Sequence, residues 1–298
     1  MEAIFKFIYE FQNENLYALL NSQFFSTILG ALGGAFAGAF AAHKIALNTK
    51  KREEIEKEIR AVNVAISSAF LICNSILSLK NQHLEQLYKG YMGGRKVFEN
   101  ALKSTPDVAL QFDMDLRTLD MPHIPIELLE MNGYEKITLR GRPLALISTL
   151  STSIDTMRSS LNRRNKVIEN FKSLLPTISQ KEKLDYYFGF PLTDGSVDQE
   201  YLDTTEGLYQ YADDVIFFSS LLCEDLRKHG NKLRNIYKKL HGKKIDKISG
   251  FHFDTPQAKA IWPNQDNYKD WLKMFFEQEK KKSWYERIFA TKKENPHG

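Results

Sequence analysis

Residues 24–42, FFSTILGALGGAFAGAFAA, run for nineteen positions without a charge. At about 1.5 Å of rise per helical residue, such a run matches a hydrocarbon core of about 30 Å. Glycine recurs every four residues, at 30, 34 and 38. That spacing puts Gly30, Gly34 and Gly38 on one helix face, where the absence of side chains lets a second helix come to backbone distance. The expectation is a transmembrane helix over 23–43 that packs against copies of itself through these three glycines. A cleaved leader would carry a basic start, whereas residues 1–23 hold Glu2, Glu10 and Glu14 against Lys6 alone. An A-x-A pattern at Ala39–Ala41 keeps the cleaved alternative open.

Lys44, Lys50, Lys51 and Arg52 follow the run, and the flank before it is acidic. The positively charged side stays in the cytoplasm. This predicts a single-pass protein of the cell inner membrane with most of its mass in the cytoplasm. Residues 1–22 would form a short extracytoplasmic or interfacial segment.

A second uncharged stretch, 61–79, reads AVNVAISSAFLICNSILSL. Ile55, Ile59, Val62, Ile66, Ala69, Cys73 and Ile76 step by four and three, which is a coiled-coil seam. The seam extends back into KKREEIEKEIR, a sequence that does not enter hydrocarbon. We therefore expect a soluble helix here, with a second span as the alternative. Ile147, Leu150, Ile154, Met157, Leu161, Ile168, Phe171 and Leu175 repeat the pattern. So do Leu208, Tyr211, Val215, Phe218, Leu222, Leu226, Leu233, Ile236 and Leu240. Three narrow stripes, none able to bury itself alone, predict an all-α fold. It would be an N-terminal transmembrane helix followed by an antiparallel, coiled-coil-like bundle of long helices over 44–242.

An irregular insertion at 104–142 carries three prolines and a short helix near 125–131. Gly93-Gly94 reads as a turn after a helix, and Gly230 as a break or bend in the third long helix. The segment 243–298 is aromatic and basic, with a helix expected from about 265 to 290. It holds Trp262, Trp271 and Trp284. If the three long helices run up, down and up, the aromatic connector 176–199 lies near the bilayer. Its Tyr186, Tyr187, Phe188 and Phe190 then suit the interface or plug the bundle's end. In that arrangement the last turns of the third helix are far from lipid.

Those last turns carry the strongest charge feature. Residues 228–247 hold eight Lys/Arg against one Asp, in a chain whose net charge is only +4. Lys228, Lys232, Arg234, Lys238 and Lys239 are the candidate partner-binding residues. Placed away from lipid, they suit a cytosolic nucleic acid or acidic protein, or simply a solvated helix end, with membrane contact as the third alternative.

The chemistry-bearing residues do not assemble into a recognisable site. Cys73 and Cys223 sit in separate apolar runs without a CxxC and read as buried hydrophobes. The seven histidines are scattered. Asp113–Asp115 is a lone DxD, and His252 with Asp254 lacks a nucleophile. Arg158, Arg163, Arg164 and Lys166 lack the following histidine of helical-bundle ribonucleases. No phosphate loop, dinucleotide fingerprint, nucleophile elbow or zinc helix is present. We expect no enzyme, no cofactor and no metal.

The small-residue face of 30–42 resembles the glycine zippers of small pore-forming and oligomerising membrane proteins. Joined to a cytosolic bundle, the layout resembles the membrane effectors of bacterial antiphage systems, including those paired with a retron. The resemblance implies a membrane-anchored, self-associating effector or scaffold, set off through its bundle. Two alternatives remain at this level: a passive tether for a nucleic-acid or protein complex, and a helical nuclease without a recognisable motif.

Overall fold

About 79% of the described residues are helical, and no strand forms among them. The computed structural model describes residues 23–104, 112–242, 245–251, 253 and 255–280. The chain divides into two units between Lys57 and Glu58. Helix α1, Gln23–Leu79, contributes to both.

In the first unit every described side chain from Gly30 to Lys51 is exposed. In the second unit α1 gives way to a π-helical turn, Lys80–Leu84, and then to α2, Glu85–Ser104. A short α3, Ile126–Met131, precedes α4, Arg142–Leu174. Then come α5, Gln180–Phe188, and α6, Glu200–His241. After these lie α7, Pro256–Ala260, a 3-10 turn at Gln265–Tyr268, and α8, Lys269–Lys280. The helix expected from 265 to 290 is thus seen as far as Lys280, and Trp284 lies outside the described residues.

The four-three stripes form the core. Val62, Ile66, Ala69, Cys73 and Ile76 are buried with Ile147, Leu150, Ile154 and Met157, and with Leu208, Val215, Phe218 and Leu222. The Cys73 thiol reaches the Ile216 carbonyl at 3.7 Å, and the Cys223 thiol reaches the Ile66 carbonyl at 3.7 Å. Seven residues forward on α1 correspond to seven backward on α6, so these helices are antiparallel and in register. Residues 61–79 are therefore a core helix of the bundle. Their polar members serve it too: Asn63 accepts from Ser249 N–H at 2.9 Å and donates to the Lys247 carbonyl at 3.3 Å.

The up-down-up path is overturned. Arg142 at the start of α4 meets Asp225 late in α6, at 2.7 Å, while Arg163 meets Glu200 at the start of α6. Both α1 and α4 thus run against α6 and are parallel to each other. The insertion makes this topology. Its chain passes Tyr201 at Asp115 and Asn165 at Leu119, and reaches Glu58 at Thr138. It returns the chain along the bundle so that α4 starts from the end where α1 enters. Side chains supply its backbone with partners that a sheet would otherwise give: Asn165 brackets Leu119 N–H and C=O at 3.1 and 2.7 Å.

The consequence is an exchange of ends. Connector 176–199 lies at the end opposite Glu58, where Tyr187 and Phe188 are buried with Tyr91, Phe98, Phe171 and Tyr201 in a second aromatic core. The plug reading holds, and the interfacial one is corrected. The last turns of α6 instead lie at the Glu58 end, where His229 Nε2 sits 3.1 Å from Glu58 Oε1. That reverses the placement inferred from an up-down-up path.

Two glycines expected to punctuate helices do not. Gly94 lies inside α2 because the Phe188 ring packs on it; a Cβ there would stand 3.2 Å from Phe188 Cζ. Gly230 lies inside an unbroken α6, where a Cβ would meet Ile248 Cδ1 at 2.7 Å and Val62 Cγ1 at 2.9 Å. Close approach, not a bend, requires glycine at both. Gly230→Leu is expected to destabilise the bundle by about 2 kcal/mol through overpacking, read as a lower thermal midpoint in detergent.

Candidate functional site

Three places combine exposure or burial with unusual chemistry. The first is the uncharged face of α1. At Gly30, Gly33, Gly34 and Gly38 an added Cβ would meet nothing within 4 Å. Leu32, Phe36 and Phe40 are 51%, 75% and 70% exposed. Elsewhere in the molecule long apolar stripes are covered; this one is not. By length and composition one continuous helix, Gly30–Ser104, qualifies to cross a membrane, but its most apolar stretch is 56% buried. Because no described side chain from Gly30 to Lys51 is buried, that stretch is the bundle-core part of the helix, not the glycine run. A core helix of a soluble bundle meets the same test.

The second place is the end of α6. Lys228, Lys232, Lys238 and Lys239 are exposed, whereas Arg234 is half-buried. Lys228 stands 3.7 Å from Glu224. Lys232, Lys238 and Lys239 form no ion pair with a described residue. At 100° per residue, Lys228, Lys232 and Lys239 share one face, while Arg234 points away from it with buried Gly230 and Tyr237. Ile236 and Leu240 belong to the seam expected to be buried. They are instead exposed, at 46% and 58%, on the flank of that basic face, about 60° and about 100° round the helix from its centre.

The third place lies at the π-helical turn. Lys80 is buried, and its Nζ donates to Asp213 and, at 2.8 Å, to the Ile261 carbonyl. The ammonium also lies 4.4 Å from the Tyr209 ring centre. Next to it Tyr268 donates to Asp214 at 2.9 Å and stacks on Phe217 at 3.8 Å. Burial pushes both aspartates above the usual carboxylate range. The extra residue of a π turn is what carries Lys80 inward. Two of its bonds, to Ile261 and from Tyr268, tie the C-terminal segment onto the bundle. Trp271 then lies 4.9 Å from Phe218. The cluster is a clasp: a cation, an acceptor and a strap, with no nucleophile or open coordination site.

The remaining candidates separate. Arg164 is buried and structural, donating to the Arg117 carbonyl at 3.0 Å and to Tyr201 at 3.1 Å. Arg163 pairs with Glu200 and Arg158 with Asp155. Asp115 is taken by Arg117 at 2.6 Å. His252 and Asp254 lie outside the described residues. Among the described residues no three His, Cys, Asp or Glu side chains gather as metal ligands. Burial pushes the Cys73 and Cys223 thiols up to about 12, so both are unreactive near neutral pH. The Lys80 cluster escaped the sequence reading because its partners are 133 and 181 residues away. A lone lysine ending an apolar stripe was the available signal. No protein-family model, curated protein or solved structure matches this chain, so function is read from its own residues.

Lys80→Ala leaves the partly buried Asp213 without its cation. We expect a loss of about 3 kcal/mol and faster tryptic release of the 255–280 strap. Lys80→Met combined with Asp213→Leu should recover most of it. At Glu58, the His229 hydrogen bond holds the carboxyl below its usual range, helped by Thr138 N–H. A depressed carboxylate stabilises the fold above its unfolded-state pKa, and that contribution fades as pH falls through the folded value. Glu58→Gln should therefore lower stability by about 1 kcal/mol at neutral pH. The gap should close as the pH is taken down through the lowered folded-state value of Glu58, read from denaturant midpoints.

Proposed function

We propose that the chain is a membrane-anchored protein that self-associates through α1 and acts on the bilayer as an effector. The observation that carries this reading is the uncovered face from Gly30 to Phe40. Phe36, Phe40 and Leu32 each forgo about 1.5–3 kcal/mol while they face water. Lipid tails supply that cover. A second copy docked on Gly30, Gly34 and Gly38 supplies the close packing that tails cannot. Lys44, Lys50, Lys51 and Arg52 keep the bundle on the cytoplasmic side. The bundle, tied by long antiparallel contacts and a clasped strap, is the part suited to receive a signal. The resemblance to antiphage membrane effectors adds a setting: a component silent until its bundle is engaged, whose glycine helices then repack and make the bilayer leak.

A second reading, a passive tether, draws support from Lys232, Lys238 and Lys239, which stand exposed with no ion-pair partner among the described residues. The two readings part by experiment. Wild type and Gly34→Leu are expressed in bacteria at matched membrane levels, with membrane potential and chemical cross-linking followed together. The effector reading expects wild type to depolarise the cell and to give a cross-linked ladder, and Gly34→Leu to do neither. A ladder without depolarisation leaves the tether or an effector that lacks its trigger, and a partner pull-down with Lys232, Lys238 and Lys239 reversed to Glu then separates the two. Unchanged behaviour of Gly34→Leu removes the glycine face from both.

A further inference from the structure

We propose that the basic end of α6 docks on the anionic phospholipid headgroups of the membrane that holds the uncharged run of α1. This rests on the membrane reading above and assigns a partner to a surface which that reading leaves unoccupied.

Three observations converge. The first is topology. His229 and Glu58 meet at 3.1 Å, so the last turns of α6 begin at the end of the bundle where the chain enters it. Fifteen residues, 43–57, separate the uncharged run from Glu58. They span about 22 Å as helix and about 50 Å fully extended. The chain itself therefore keeps this end of the bundle within reach of the bilayer surface.

The second is charge. Between Leu226 and Ile245 no Asp or Glu occurs, while Arg227, Lys228, Lys232, Arg234, Lys238, Lys239, Lys243 and Lys244 do. Of the nearest carboxylates, Asp225 binds Arg142 and Glu58 binds His229. Among the described cations of the run Lys228 alone has carboxylates beside it, Glu224 at 3.7 Å and Asp225 at 3.9 Å. Clusters of four to eight cations beside a membrane segment are drawn to anionic leaflets.

The third decides between lipid and the other polyanions. Ile236 and Leu240 stand exposed beside Lys232 and Lys239. A nucleic-acid backbone or an acidic peptide neutralises the lysines equally well and leaves both apolar side chains wet. A headgroup layer takes the lysines at the phosphates and lets Ile236 and Leu240 enter the acyl boundary, as amphipathic interfacial helices do. The two exposed seam residues, out of place in a soluble bundle, are in place there.

The test uses the full chain, with its two native cysteines buried. Asn235→Cys on the basic face and Gln180→Cys at the opposite end of the bundle are labelled with bimane. Each is reconstituted into vesicles carrying spin-labelled headgroups. The vesicles are phosphatidylcholine alone or phosphatidylcholine mixed with phosphatidylglycerol, and flotation runs in parallel. We expect quenching at 235 with phosphatidylglycerol present, little with phosphatidylcholine alone, and none at 180 in either. Each lysine at an anionic surface changes the docked-to-free ratio about fivefold. Reversing Lys228, Lys232 and Lys239 to Glu together should lower it by more than about a hundredfold, because each change removes an attracted charge and adds a repelled one, and abolish quenching at 235. If the protein floats and the 235 label stays unquenched in both vesicles, the docking is wrong and the membrane reading stands. Quenching indifferent to charge reversal overturns it equally. An emission change at 235 on adding single-stranded RNA or polyglutamate, without lipid quenching, hands the face to those partners. Failure to float removes both readings.

Discussion

Cys73 against Ile216 and Cys223 against Ile66 mark the contact from which the rest of the bundle follows. Two thiols too small to fill a heptad hole let α1 and α6 approach until each sulfur touches the other helix's backbone. This contact fixes register and direction together. It buries the apolar face of 61–79, which would otherwise compete for lipid, so that the longest uncovered uncharged stretch among the described residues lies in the first unit. It also fixes where α6 ends, and so places the basic run at the end of the bundle where α1 enters. Neither the clasp at Lys80 nor the pair at Glu58 could form in another register, because each joins α1, or the turn that follows it, to α6.

The long insertion is the second constraint. Two helices joined by a short loop run antiparallel, because the chain has no length to return. Here the stretch between α2 and α4 is long enough to go back, and its proline-rich sequence suits an extended path with few backbone donors to satisfy. Parallel α1 and α4, both facing α6, are the result. Packing both against one antiparallel partner gives α6 an apolar surface wider than a two-helix seam, consistent with buried Ile216 and Phe217 beside the heptad positions.

Much of this was legible in the chain. The four-three stepping located three long helices and most of their buried positions, because burial on a helix face depends on local periodicity. The seam 55–76 identified 61–79 as bundle rather than span for the same reason. Direction was not legible, since periodicity is blind to which way a helix points, and an up-down-up path was inferred where an extended crossover exists. Gly94 and Gly230 misled for a related reason. A glycine in a helix signals either a break or a close neighbour, and only Phe188, Ile248 and Val62, all distant in sequence, distinguish them. The exposure of Ile236 and Leu240 was hidden too: their spacing continues the seam, while the partner that would cover them is missing from the described residues.

The two halves of the functional reading differ in strength by design of the chemistry. Nineteen uncharged residues in hydrocarbon hold a chain effectively for good. Three lysines at an anionic surface contribute about 3 kcal/mol, an affinity in the millimolar range on its own. A short covalent connection supplies an effective concentration of the same order, so docked and released bundles would coexist with neither form dominant. A surface poised in that way responds to small changes: a rise in ionic strength, a shift in lipid charge, or a competing polyanion. Release would free the bundle to reorient while leaving α1 in place. In the proposed reading, anchoring and sensing would fall to different parts of one chain, the first irreversible on biological timescales and the second balanced near its midpoint.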